Sequence, residues 1–87
     1  MINYRSLSDS LHKRGFVHTN VCTFDGKVYH DFTNKKTRET ASATIDTVSG
    51  AVSKVEITRP CWDANAGRYA TVKDTYTDLE GVLKRIS

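Results

Sequence analysis

Two histidines and two cysteines are the side chains of this sequence best suited to metal or covalent chemistry. His18, Cys22, His30 and Cys61 offer the imidazole and thiolate groups that zinc prefers. Their spacing forms neither the paired cysteines nor the paired histidines that are typical of zinc sites. In the register expected for the first hairpin, His30 also lies on the opposite face of the sheet from His18 and Cys22. We therefore predict no metal site and no cofactor.

The same residues do not assemble a catalytic set. A nucleophilic Cys61 would need a base and an orienting third group, and its neighbours in the sequence supply neither. His30 and Asp31 are adjacent on a predicted strand, so their side chains point to opposite faces and cannot act together. The glycines fall at predicted turns and helix ends, except Gly81, which lies inside a predicted helix. The sequence thus predicts a protein that is not an enzyme.

Basic residues provide the first candidate binding site. The net charge is +3, and Lys35, Lys36 and Arg38 are clustered between two predicted hairpins. Phosphate groups are bound through such charges, and cations interleaved with aromatic side chains are typical of proteins that bind single strands. Other basic residues lie at predicted helix ends, where they complement the helix dipole. The candidate nucleic-acid contacts are the clustered and aromatic-flanked cations Lys35, Lys36, Arg38 and Lys73.

The segment 59–69, RPCWDANAGRY, provides the second candidate site. It contains the only proline and the only tryptophan of the chain. Pro60 has no N–H and is expected to end a strand, with a loop following over 61–67. We favour the interpretation of Trp62 as a lid that closes the end of a small core, and the alternative is an exposed contact residue. Because Trp, Tyr and Arg are enriched in interface hot spots, the candidate partner-binding residues are Arg59, Trp62, Arg68 and Tyr69.

Periodicity and turn signals predict the elements that position these residues. Apolar residues at helical spacing predict helices over 4–14, ended by Gly15, and over 77–86, begun by a capping box from Thr77 to Glu80. Asp25-Gly26 predicts a two-residue hairpin turn between strands 16–24 and 27–33, which pairs Thr19 with Phe32. A three-residue turn with a bulge is the alternative, and it would bring His18 and Cys22 to the face of Phe32.

A second hairpin is predicted over 39–47 and 51–59 with a three-residue loop, and a fifth strand over 68–73. One face of the second hairpin is apolar and includes Ala41 and Ala43, whose small side chains leave room for helices. The other face carries Lys54 and Glu56 and meets water. We expect an α+β fold: a single antiparallel sheet of four to five strands with an N-terminal and a C-terminal helix packed on one face, in the order α-β-β-β-β-β-α.

Size and composition bound the function. With 87 residues, residues 1–87 are expected to form a single stand-alone domain without a large pocket. No signal sequence or membrane span is apparent, and two cysteines without a signal fit the cytoplasm. We predict a small non-enzymatic cytosolic protein that binds or inhibits a larger protein partner, as small phage and mobile-element inhibitors of host machinery do. RNA or DNA binding through the basic loop is the alternative, and homodimerisation through exposed strand edges stays open.

Overall fold

A computed structural model, which describes residues 2–86, shows a five-stranded sheet with a helix at each end of the chain. The elements in chain order are α1 (Tyr4–Lys13), β1 (Val17–Phe24), β2 (Lys27–Asn34), β3 (Glu39–Asp46), β4 (Val52–Asp63), β5 (Arg68–Tyr76) and α2 (Leu79–Ile86). The strands form one open antiparallel meander in the order β1-β2-β3-β4-β5. The predicted α+β class and element order are confirmed.

The core lies between the helices and one face of the sheet, which we call the inner face. The fully buried side chains include Leu7 and Leu11 of α1 and Val82 of α2. Opposite them stand Ala41 and Ala43, also fully buried, so the small residues of β3 give the helices room as predicted. The remaining buried apolar residues are Ile2, Phe16, Phe32, Val52, Val55 and Ile57. The other side of the sheet, the outer face, carries no helix in the described part of the chain.

The ends of α1 follow the sequence prediction, whereas the start of α2 does not. The Asn3 side chain accepts from the Ser6 N–H at 3.1 Å, and after Gly15, at φ 90°, the Phe16 N–H reaches the Leu11 carbonyl at 2.9 Å. The predicted cap of α2 at Thr77 is wrong. Asp78 is the cap, since its Oδ1 accepts from the Gly81 N–H at 2.6 Å. The helix begins later than predicted because β5 stays paired with β4 up to Tyr76.

The first hairpin has the predicted turn and an unexpected bulge. Asp25 and Gly26 adopt φ of 52° and 73°, and the pairs next to the turn match the two-residue prediction. Farther from the turn the register shifts at Thr19, so that His18, and not Thr19, lies opposite Phe32. The prediction that His18 and His30 lie on opposite faces is therefore wrong, because the extra residue rotates His18 to the inner face.

The second hairpin contains a bulge as well. Ala43 pairs with Val55 as predicted, but Ile45 pairs with Val52 because Ser53 is the extra residue. The loop between the two strands consequently has five residues, 47–51, and not three. The shift brings Val52 to the inner face, where it is fully buried, so burial of an additional apolar side chain accompanies the bulge.

Strand β4 does not end at Pro60, contrary to the prediction, but continues to Asp63. The last pair between β3 and β4 joins Thr40 to Thr58. Beyond this point β5 is the only strand within residues 2–86 that pairs with β4. A strand with one open side tolerates a proline whose missing N–H falls on that side. We call residues 59–72, the hairpin that extends past the sheet, the arm. Its five residues 59–63 span roughly 17 Å at ~3.3 Å per residue.

Candidate binding surface on the arm and the basic end

The tip of the arm is a tight turn held by an aspartate. Asp63 Oδ1 accepts from the N–H groups of Asn65 at 3.0 Å and Ala66 at 3.2 Å. Gly67, at φ 66°, closes the turn with a 2.8 Å hydrogen bond from its N–H to the Asp63 carbonyl. These bonds fix the geometry of the ribbon that presents the neighbouring aromatic residues.

Trp62 and Tyr69 form an exposed aromatic pair on the outer face of the arm. They stand directly opposite each other on β4 and β5, with ring centroids 5.1 Å apart and planes at 72°. Trp62 is 56% exposed and Tyr69 is 62% exposed. The interpretation of Trp62 as a lid on the core is therefore wrong: the arm carries it past the core, and its ring contact is with Tyr69.

The two arginines predicted to accompany this pair lie on the other side of the arm. Alternation along β4 places Arg59 on the side of the buried Ile57, and pairing places Arg68 opposite Asp63 on that same inner side. Within residues 2–86, neither arginine makes an ion pair. The four candidate partner-binding residues thus share one element, with aromatic side chains on one face and cations on the other.

The basic loop is the turn between β2 and β3, and it is anchored by an asparagine that sequence reasoning missed. Asn34 Oδ1 accepts from the N–H groups of Lys36 at 3.0 Å and Thr37 at 3.2 Å. Its Nδ2 donates to the Arg14 carbonyl at 3.0 Å, and the side chain is buried. Asn34 therefore ties the turn 35–38 to the C-terminal end of α1. The signal available in the sequence was the asparagine four residues before Arg38, the same spacing that separates Asp46 from Gly50 and Asp63 from Gly67.

Cations gather at the end of the sheet from which the arm projects, which we call the basic end. It contains the turn 35–38, the C-terminal end of α1 and the arm, and its basic residues are Lys13, Arg14, Lys35, Lys36, Arg38, Arg59 and Arg68. None of these is ion-paired within the described chain. Nearby Arg85 is neutralised instead, by Glu39 at 2.6 Å and Asp74 at 3.6 Å.

The opposite end of the sheet carries charges of both signs, since Lys27 pairs with Asp46 there. Asp25 and Asp46 lie at the turns after β1 and β3, and Thr47 Oγ1 donates to the Gly26 carbonyl at 2.7 Å, which shows that these turns are neighbours. Asp78, at the start of α2, follows β5 at this same end. The modest net charge of +3 therefore conceals a molecule with a strongly basic pole.

Lys73, a further predicted nucleic-acid contact, is not brought to the basic turn. It lies on the outer face of β5, where its Nζ is 3.1 Å from Glu56, and Lys54 is 3.1 Å from the same carboxylate. Hydrogen bonds from Lys73 and Lys54 lower the pKa of Glu56, against the opposing effect of its burial. Lys73 therefore neutralises an acid of the sheet surface, which reduces what it offers to a phosphate.

His18 and His30 form a small cluster with Tyr4 on the inner face. His18 Nε2 lies 2.9 Å from His30 Nδ1, and the Tyr4 hydroxyl lies 3.3 Å from the same nitrogen. Burial lowers the pKa of His30, and the nearby His18 lowers it further, while Asp31 has a smaller opposing effect. Residues 2–86 contain no group of three metal-ligating side chains.

The cysteines do not join the histidines. Cys22 is on the outer face of β1, Cys61 is on β4 with two strands between them, and both are free thiols. The thiols and imidazoles that the sequence offered for zinc are thus distributed over both faces of the sheet.

The fold and this surface define a small α+β protein with an aromatic arm and a basic pole. None of the described helices has both the length and the apolar character needed to span a bilayer. Comparison with protein-family models, curated proteins and solved structures finds no match to this chain. Its function is therefore inferred from geometry and charge.

Proposed function

We propose that this chain is a non-enzymatic binding protein that engages a larger protein partner through its arm. The observation that carries the proposal is the Trp62–Tyr69 pair, in which each side chain is more than half exposed. The pair lies on the part of β4 that, among the described strands, pairs with β5 alone. Large aromatic side chains exposed on an element remote from the core contribute little to folding. They are the residue types that carry binding energy when they enter a pocket of a partner.

The positive charges of the basic end indicate the charge that the partner surface should carry around such a pocket. Arg59 and Arg68 flank the aromatic pair on the other face of the arm, and the turn 35–38 lies at the same end of the sheet. Complementary charge accelerates encounter and selects the partner. The preferred partner is therefore a protein whose pocket for Trp62 is bordered by acidic residues.

We propose further that binding takes place in the cytoplasm and works by occupying a site of the partner, as inhibitors encoded by phages and mobile elements do. The free thiols of Cys22 and Cys61 are consistent with a reducing compartment. Blocking requires an exposed recognition element, and the exposure of Trp62 and Tyr69 on the arm supports this proposal.

Nucleic-acid binding is the second candidate, and a different observation favours it. The topology brings seven cations to one pole, Lys13, Arg14, Lys35, Lys36, Arg38, Arg59 and Arg68, with no ion pair to a carboxylate among the described residues. Such a patch can bind phosphates without a recognition helix. The two functions coincide where the partner is a nucleoprotein.

The test is a pull-down from host lysate with and without nuclease, followed by affinity measurements on the purified partner. Trp62→Ala should weaken a protein complex by roughly 30-fold or more, corresponding to about 2 kcal/mol. Val48→Ala is the matched control, because Val48 is 95% exposed but lies at the opposite end of the sheet. Unchanged affinity of Trp62→Ala for the partner, or a loss of thermal stability that accounts for its weaker binding, contradicts the proposal.

Charge reversal separates the two candidates. Replacing Lys35, Lys36 and Arg38 together by glutamate should abolish nucleic-acid binding, which should also weaken steeply with salt. The same variant should leave a Trp62-centred protein contact within about tenfold of the parent, since charges at the rim of an interface mainly change association rate. If the pull-down retains nucleic acid alone, and if both nuclease digestion and charge reversal abolish this retention, nucleic-acid binding replaces protein binding as the proposed function.

A further inference from the structure

Strand β1 is an unprotected edge of the sheet. Its eight residues, VHTNVCTF, include no lysine, arginine, aspartate or glutamate, and every one of them is exposed. Val17, Val21 and Phe24 are exposed by 54%, 50% and 70%. Edge strands that must stay single are usually protected by charges, and β5 at the other edge carries several, for example Arg68 and Asp74. The contrast indicates that β1 is available for pairing with another strand.

The backbone of β1 offers a defined set of free hydrogen-bonding groups. In a two-residue hairpin the residues that close the turn are hydrogen-bonded to each other, and the ladder then alternates. Phe24 and Cys22 therefore direct their N–H and C=O groups toward β2. Val21 and Thr23 direct theirs away from the sheet, and the bulge at Thr19 interrupts the pattern farther on. The regular free segment is thus short and has four groups in each chain.

We propose that two copies of this chain pair antiparallel through β1, with the two-fold axis at Cys22. In this register Val21 of one copy lies opposite Thr23 of the second copy, and the reciprocal pair forms as well. All the free groups of Val21 and Thr23 are then used in four hydrogen bonds. An axis at Val21 would instead set Thr23 against the bulge at Thr19 of the second copy, leaving those groups without regular partners.

Side chains and helices leave room for this pairing. Cys22 faces Cys22 of the second copy as a pair without hydrogen bonds, at an expected Cα separation of about 4.5 Å. Phe24 lies opposite Asn20 of the second copy, which covers its exposed ring. No residue of β1 is buried under α1, so the two sheets can join edge to edge. Because the contact involves only a few residues, the dimer should be weak and concentration-dependent.

Sedimentation equilibrium over about two decades of concentration, centred near the micromolar range where weak contacts dissociate, tests the proposal. The parent and Cys22→Ser should associate to dimers, while Cys22→Lys should stay monomeric because it sets two cations directly opposite each other. Thr71→Lys, on the other edge, should dimerise like the parent. Since Cys22 is exposed, Cys22→Lys should keep the thermal midpoint of the parent. A monomeric parent at every concentration, or a Cys22→Lys variant that dimerises equally well, overturns the inference.

Oxidation of the full chain with diamide, which accepts the hydrogens of two thiols as the disulfide forms, tests the register. The parent and Cys61→Ser should give a covalent dimer, and Cys22→Ser should not. A covalent dimer linked through Cys61 contradicts the two-fold axis at Cys22. Crosslinking of Cys22 that is slow, does not saturate and is the same in Thr23→Lys contradicts it as well. These results are independent of the proposed function, because the arm is built by β4 and β5 at the other side of the sheet.

Discussion

Replacement of Arg38 by glycine should stabilise this protein. Three of its hairpin turns share one design, in which an Asx side chain accepts from two N–H groups of the turn and a residue at positive φ closes it. The Asx residues that begin these three turns are Asn34, Asp46 and Asp63. Two of these turns close with a glycine, Gly50 and Gly67, but the basic turn closes with Arg38 at φ 65°. Arg38 is therefore held in a conformation that glycine adopts more readily.

The expected gain follows from two opposing effects. A side chain in the left-handed region costs roughly 1–2 kcal/mol. Glycine also has a higher conformational entropy in the unfolded chain, which lowers stability by about 0.4–1 kcal/mol and offsets part of the relief of this cost. Arg38→Gly should thus raise the free energy of unfolding by about 0.5–1 kcal/mol, which corresponds to a thermal midpoint higher by roughly 2–8 °C for a domain of this size.

Thermal and urea unfolding of matched variants provide the assay. Arg38→Ala removes the charge but keeps a Cβ, so it should not show the gain. Gly67→Ala should be destabilised by a similar amount, and it isolates backbone strain because a Cβ at Gly67 would meet no heavy atom within 4 Å. If Arg38→Gly and Arg38→Ala have equal stability, or if Gly67→Ala unfolds like the parent, the reasoning from the shared turn is refuted. Weaker partner or nucleic-acid binding by Arg38→Gly would explain why the strained arginine is present.

Three further perturbations test other contacts. Asn34→Ala should lower the free energy of unfolding by about 2 kcal/mol, since it removes the hydrogen bonds to the N–H groups of Lys36 and Thr37 and to the Arg14 carbonyl. Urea unfolding checks this, with Asn34→Asp as the variant that retains the acceptor only. Because the pKa of His30 is lowered in the folded state, stability should fall as pH drops through 6.5 toward that lower value, and His30→Gln should remove this dependence. The pKa of Glu56 is also lowered, so its contribution should be present above 4.5 and be lost below it, in a separate window that Glu56→Gln abolishes.

Local signals in the sequence predicted most elements of the fold, and the errors have a common physical cause. Gly15 ended α1 and Asp25-Gly26 formed its turn as expected, because these conformations depend on the residues themselves. Both register errors arise at bulges, where Thr19 and Ser53 are the extra residues. A bulge has no strong local signature. It is selected by what it does to packing, such as the burial of Val52, and packing is not visible in a strand read alone.

For the candidate binding surface too, the sequence indicated which residues take part but not how the fold arranges them. Residue type was sufficient to nominate Trp62, Tyr69 and the basic turn, but their arrangement depended on whether Pro60 ended its strand. Because the pairing between β3 and β4 ends with Thr40 and Thr58, Pro60 has an open side and β4 can continue. That length difference between neighbouring strands creates the arm, and with it the exposure of Trp62. The antiparallel meander then fixes which turns share an end of the sheet, so the basic turn must accompany the arm. A partner that recognises Trp62 consequently meets the cations of the turn as well, which is why the proposed partner is acidic.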